Sequence, residues 1–209
     1  MHNSPTVTSD VFDEAAERLR AGGLAAFPTD TVYGVGAMAS DPVAVKKLFK
    51  AKNRPRDKAI PILLASAEEL EVVVERVPEA GVRLAQAFWP GALTLVFRRS
   101  RDFLSPALAG GETVAVRVPD HPVVRALIER VGEPLAGTSA NLSGQRSPVT
   151  AEEVRKQLGA SVDIIIDGGR CPGGIESTVV DVTVDPPRVL REGAIPRCKL
   201  EQATGLYFA

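Results

Sequence analysis

Short apolar runs alternate along this chain with stretches whose apolar residues recur at helical spacing. That alternation restricts the fold more than any other feature, because each pattern demands its own burial geometry. Asp10 can cap a helix carrying Val11, Phe12, Ala15, Ala16 and Leu19 on one face, and Gly22 with Gly23 ends it. Asp41 and Pro42 open a second helix with Val45, Leu48 and Phe49 apolar. Ser66 with Glu69, and Thr150 with Glu153, have the spacing of capping boxes. Residues 81–89 and 122–131 also read as helices, and a short one is expected after Ile195. Strands are expected at 24–27, 60–64, 93–97, 113–118, 135–137, 162–166, 177–182 and 188–190. Such interleaving predicts an α/β fold around one central sheet, whose strand order the pattern leaves open. No repeat, low-complexity tract or linker interrupts residues 1–209, so one domain is expected, with a core of about 10–194 and a tail of 195–209.

Composition removes several functional classes. Hydrophobic residues at 44% and charged residues at 24% suffice for a packed core. The net charge of -1 gives no global positive field, so nucleic-acid binding would need a local patch. Residues Met1 to Arg20 alternate polar and acidic types, which argues against a secretory signal, and no stretch is long enough to cross a bilayer. Cys171 and Cys198 are far apart without CxxC spacing; a disulfide between them is open but unneeded at this size, and reduced thiols in the cytoplasm are expected. His2 and His121 sit in no ligand cluster and near no Ser or Cys nucleophile, so neither a zinc site nor a hydrolase triad is expected. Chemistry must then run on hydroxyls, Lys, Arg and carboxylates.

Four segments concentrate those groups. The run Pro28-Thr29-Asp30-Thr31-Val32-Tyr33-Gly34-Val35-Gly36 reads as a loop between a strand and a helix, open to close ligand approach or else a polar turn around a packed Tyr. Lys46, Lys47, Lys50, Lys52, Arg54, Arg56 and Lys58 are opposed locally only by Asp57, which suits a polyphosphate or a solvated helix face. Thr138 to Gly144, with Ser147, offers uncharged hydroxyl and amide groups, as do ordinary turns. Arg117 lies in an apolar strand pattern and needs an anionic ligand, an internal carboxylate or a solvent-facing side; Arg191 ends a later strand. Ser177 and Thr178 add hydroxyls after Glu176. Together these describe a pocket for phosphate-centred transfer by positioning and charge neutralisation.

In order along residues 24–194, the chain resembles the YrdC-like threonylcarbamoyl-AMP synthases. The matching elements are 28–36, Lys50-Ala51-Lys52-Asn53-Arg54-Pro55, Trp89-Pro90-Gly91-Ala92-Leu93-Thr94, Val116-Arg117-Val118-Pro119, Thr138 to Gly144, Glu176-Ser177-Thr178-Val179 and Leu190-Arg191-Glu192-Gly193. The resemblance implies a twisted mixed parallel and antiparallel sheet with flanking helices and a concave basic cavity. It implies that Thr31, Arg117, Gly137 and Ser177 hold L-threonine, with Arg117 on its carboxylate. Lys50, Arg54, Thr113, Ser139, Asn141, Ser147 and Arg191 would hold ATP, with Mg2+ carried on the phosphates rather than by a protein cage. No residue is implied as nucleophile or base. Asn53 stands where the family often has Gly, and the 58–64 segment lacks a His that some members place against threonine. The chain resembles the short, single-domain members.

The implied reaction joins L-threonine, bicarbonate and ATP into threonylcarbamoyl-AMP and pyrophosphate, for a downstream transferase complex that modifies tRNA. Other readings are a double-stranded RNA or tRNA-binding module, the carbamoyl transfer of the related domain in hydrogenase maturation proteins, and a nucleotide binder without catalysis.

Overall fold

The computed structural model describes residues 8–209; His2 and the start of the expected 1–209 domain lie outside the described residues. The helices are α1 (Ser9–Arg20), α2 (Pro42–Ala51), α3 (Leu70–Val73), α4 (Glu79–Phe88), α5 (Pro122–Val131), α6 (Ala151–Gln157) and α7 (Arg197–Thr204). The strands are β1 (Ala25–Phe27), β2 (Gly34–Met38), β3 (Ile62–Leu63), β4 (Leu93–Arg98), β5 (Thr113–Arg117), β6 (Leu135–Ser139), β7 (Ile164–Ile165), β8 (Thr178–Asp181) and β9 (Arg188–Arg191). They form one sheet in the order β7-β1-β2-β6-β3-β5-β4-β8-β9. The pairs β1/β7, β3/β5 and β4/β8 are parallel and the rest antiparallel, the mixed α/β architecture expected.

Local chemistry explains most boundaries. The Asp41 carboxylate accepts from the Val43 and Ala44 amides at 2.8 and 3.0 Å, fixing the start of α2. Pro122 opens α5 behind His121, and Gly132 closes it at φ 83°, where a side chain is disfavoured. Asn53, just past α2, has φ 49°; Asn tolerates this left-handed turn, and Gly would fit it as well.

Four expectations need correction. Residues 34–38 form β2 instead of remaining a loop, because Gly34 and Gly36 leave room for the Phe27 ring of β1 where a Cβ would sit. The first helix starts at Ser9, with Thr8 rather than Asp10 in the capping position. The Ser66 hydroxyl caps nothing; Glu69 instead accepts from the Ala65 amide, and a single 3-10 turn precedes α3. At Thr150 the hydroxyl does accept from the Glu153 amide, but Glu153 reaches the Val149 amide, one residue short of a reciprocal box.

The two sheet faces differ. One carries Ala26, Val35, Ala37, Ile62, Leu95, Val116 and Ala136 under α2, α4, α6 and α7. The other carries Ala25, Phe27, Leu63 and Leu135 under α1 and α5. Those two helices cover only part of that second face. Beyond them the sheet is open, and the uncovered strands floor a cavity.

Candidate functional site

Period-two geometry populates the cavity floor. Thr94 and Val96 rise from β4, Ala115 and Arg117 from β5, Gly137 and Ser139 from β6, Ser177 from the residue just before β8 and Val179 from β8 itself. The alternate residues Leu95, Val116, Ala136 and Val180 point into the core behind. The β1–β2 loop supplies Thr29 and Thr31, the segment after α2 supplies Lys52, Arg54 and Lys58, and β9 supplies Arg191. The enclosed volume is about 600 Å³. Among the described lining residues there are five cations and one carboxylate, Glu176, and no Cys or His.

Arg117 is almost fully buried, and its guanidinium is held on several sides. Nε donates to the Gly91 carbonyl at 2.9 Å, one terminal nitrogen to Thr31 Oγ1 at 3.0 Å and the other to Asp30 Oδ1 at 2.6 Å. The internal carboxylate that the sequence left open is therefore Asp30, which also accepts from the Asp120 amide. Burial pushes the Arg117 guanidinium below its ordinary value and Asp30 opposes that shift, so the pair keeps the charge in place. Thr31 in turn shares a hydrogen bond of 2.9 Å with Thr29. Ser177 Oγ and Thr94 Oγ1 lie 2.8 Å apart across β8 and β4. The result is a fixed cation flanked by hydroxyls, a seat for a small carboxylate bearing polar groups.

A second cluster centres on Lys52. Its ammonium donates to the Ser139 carbonyl, to the Asn141 carbonyl at 2.6 Å and to Asn141 Oδ1 at 3.2 Å. Ser139 Oγ donates to the same Oδ1 at 2.6 Å, and Asn141 Nδ2 reaches the Gln145 carbonyl at 2.7 Å. Burial pushes the Lys52 amine down to about 8, with Arg54 adding to the shift and Glu176 resisting it. The Arg54 fork rests on the Lys58 and Ala59 carbonyls at 2.9 and 2.7 Å. Glu176 accepts from Ser147 at 2.7 Å and pairs with Arg191, whose other nitrogen donates to the Ser177 carbonyl at 2.8 Å. Burial opposes ionisation of Glu176, but Ser147 and Arg191 hold its carboxyl below the usual value.

The structure brings together Thr31, Arg117, Gly137, Ser177, Arg54, Ser139, Asn141 and Arg191 around the one cavity. Ser147 stands behind Glu176 rather than on the wall. Thr113 is exposed at the far end of β5, opposite Arg98. Lys50 is exposed on α2 and belongs to an outer basic surface with Lys46, Lys47 and Arg56. The cavity lysine is Lys52, and helical spacing carries the signal for it. Lys52 extends the buried stripe Ala44, Val45, Leu48 and Phe49, whereas Lys50 shares the opposite face with Lys46 and Lys47. Asp30, Thr94 and Glu176 were also unassigned by sequence; their partners Arg117, Ser177 and Arg191 are remote along the chain.

The Sua5/YciO/YrdC family model, described as telomere recombination, matches residues 17–193. A threonylcarbamoyl-AMP synthase of Pyrococcus abyssi is 46% identical over 191 residues, covering 91% of this chain and 56% of that relative. One of Bacillus subtilis is 45% identical over 193 residues, with 92% and 56% covered. This chain thus spans about half the length of these relatives. The crystal structure of P. abyssi Sua5 complexed with L-threonine superposes with a TM-score of 0.91 at 45% identity, covering 94% of this chain and 58% of that one. With the family model spanning most of its length, and the fold and sequence agreeing, the chain belongs to the Sua5/YciO/YrdC family.

Proposed function

We propose that this chain makes threonylcarbamoyl-AMP and pyrophosphate from L-threonine, bicarbonate and ATP. The observation that carries the reading is the adjacency, in one cavity, of the Arg117 carboxylate seat and the cluster of Lys52, Arg54 and Arg191. The names of the two relatives and the L-threonine complex of the P. abyssi protein support it.

Arg117 would pair with the threonine carboxylate, and Thr31 and Ser177 would accept or donate to its amine and hydroxyl. The neutral amine condenses with bicarbonate, forming the carbamate and releasing water. A carbamate oxygen then attacks the α-phosphorus of ATP. The new P–O bond forms as the bond to the β-phosphate oxygen breaks, and pyrophosphate leaves with the electron pair. Lys52, Arg54 and Arg191 would offset the negative charge that gathers on the phosphates. Ser139 and Asn141, held by Lys52, would bind the nucleotide through hydroxyl and amide groups. The attacking group brings its own charge, so the reaction needs no enzyme nucleophile.

The donor set fits Mg2+ carried by ATP itself. Glu176 is the one lining carboxylate and is already engaged by Ser147 and Arg191, and no group of three metal-binding side chains occurs among the described residues. When bound, Mg2+ would supply charge neutralisation along the polyphosphate. The two unpaired thiols suit a reducing compartment, so the cytoplasm is the proposed location, and a transferase acting on tRNA is the proposed consumer of the product. Among the described residues, no helix is long and apolar enough to cross a membrane.

The test incubates purified protein with ATP, Mg2+, L-threonine and bicarbonate, omitting each in turn, and follows pyrophosphate and product mass. Release that requires both threonine and bicarbonate, with a threonylcarbamoyl-AMP mass, is the expected result. Folded protein that binds ATP and yields no product would remove the synthase reading and revive the RNA-binding one.

A further inference from the structure

We propose that a groove between residues 67–77 and α4, outside the cavity, is a docking site for a basic amphipathic helix of a partner protein. The groove encloses about 600 Å³. Its apolar lining comes from Leu70, Val74, Val77, Val82, Ala85 and Trp89. On α4 and its C-terminal cap, Val82, Ala85, Gln86 and Trp89 have the spacing of one helical face. That face is distinct from the one that sends Gly81 and Leu84 into the core. A trough walled by short helical segments and floored by apolar side chains is the shape that accepts the apolar face of another helix.

Charge decides which helix. Glu68, Glu71 and Glu75 line the groove, and Arg76 is its one lining cation among the described residues. None of the three carboxylates takes part in an ion pair among the described residues, whereas Asp13 and Glu14 on α1, Glu79 on α4 and Glu152 on α6 do. An acidic rim repels nucleotides and nucleic acid and attracts Lys and Arg. A second copy of this chain, joined by a two-fold axis through the groove, would set the same carboxylates against each other. The favoured occupant therefore carries apolar anchors at helical spacing flanked by Lys or Arg.

The position also links the groove to the cavity. Trp89 Nε1 donates to the Leu93 carbonyl at 2.7 Å, and two residues after Trp89 the Gly91 carbonyl holds Arg117 Nε. One short loop thus touches the groove on one side and the Arg117 guanidinium on the other. The docking proposal stands independently of the reaction assigned above.

Trp89 is the single tryptophan of the chain and so reports on the groove directly. A displayed library of helical peptides of about 15 residues is panned against the full chain, and enriched peptides are titrated by Trp89 emission. The expected peptides are rich in Lys or Arg beside Leu, Ile or Phe at helical spacing. They should shift Trp89 emission and bind about tenfold more weakly to Glu71→Lys/Glu75→Lys and to Val82→Glu, variants checked for unchanged thermal melting. No enrichment, enrichment without a basic bias, or affinity untouched by both variants would overturn the proposal. A concentration-dependent dimer abolished by Val82→Glu would overturn it in favour of self-association.

Discussion

One face of the sheet is used in two opposite ways. Under α1 and α5, the outward positions of β1, β3 and β6 hold Ala25, Phe27, Leu63 and Leu135, all sealed from solvent. At the other end of β6, on the neighbouring β5 and β4, and just before β8, positions on the same face hold Ser139, Arg117, Thr94 and Ser177, which line the cavity instead. The pleat is the same, so backbone geometry cannot separate the halves; side-chain chemistry and the reach of two helices do. The covered half serves stability, and the open half keeps polar groups desolvated enough to be selective yet accessible to ligand. The boundary falls where Leu63 of β3 fills the space that a Cβ on Gly137 of β6 would need.

The sharpest way to break the comparison is to hollow the covered half. Phe27→Ala should cost about 3–5 kcal/mol in urea unfolding, while turnover per folded molecule stays near that of the parent. On the open half, Arg117→Lys keeps a charge beside Asp30 but loses the planar fork. Its kcat/KM for threonine should fall about 30-fold, roughly 2 kcal/mol, with the KM for ATP little changed. Equal losses for both substrates would mean that the two clusters are not separate seats.

Lys52→Met should raise the KM for ATP about tenfold, because it releases the Ser139–Asn141 loop and removes a cavity charge. Lys50→Ala on the opposite helix face should change it by less than about twofold. The reverse ranking would return the nucleotide contact to Lys50. The buried Lys52 amine titrates at about 8 in the ligand-free chain. It is protonated below that pH and loses its charge above it, so ATP affinity should hold at neutral pH and decline through pH 8 to 9. Polyphosphate nearby favours the ammonium, so ATP binding at pH 8 should take up protons, read by calorimetry in buffers of different ionisation enthalpy. Lys52→Met should abolish that uptake. The smallest effect is expected at Asn53, where Asn53→Ala at φ 49° should cost about 1 kcal/mol of stability and Asn53→Gly less.

Much of the fold was legible because its signals are local. The Asp41 cap, the Pro122 helix and the alternation in β4 and β5 each follow from neighbours a few residues apart. β2 was not, since Gly34-Val35-Gly36 lacks strand composition, and it pairs with β1 and β6 where the Phe27 ring takes the space above the two glycines. The site divides in the same way. Thr31, Arg117, Ser139, Asn141 and Arg191 stood out by residue type in ordered motifs, and the sheet gathers them. Lys50 and Thr113 belonged to the same motifs, yet helix phase and strand end turn them outward.

By itself, the sequence determined the α/β class and the kinds of groups available for binding, because periodicity and residue chemistry are properties of short segments, and its ordered motifs carried the resemblance to the family. Only the tertiary structure decided that Asp30 braces Arg117, that Ser147 donates to Glu176, and that the Lys52 ammonium meets the Asn141 carbonyl. Each of those contacts joins residues far apart in the chain, and their distances are set by strand order, which no local pattern encodes.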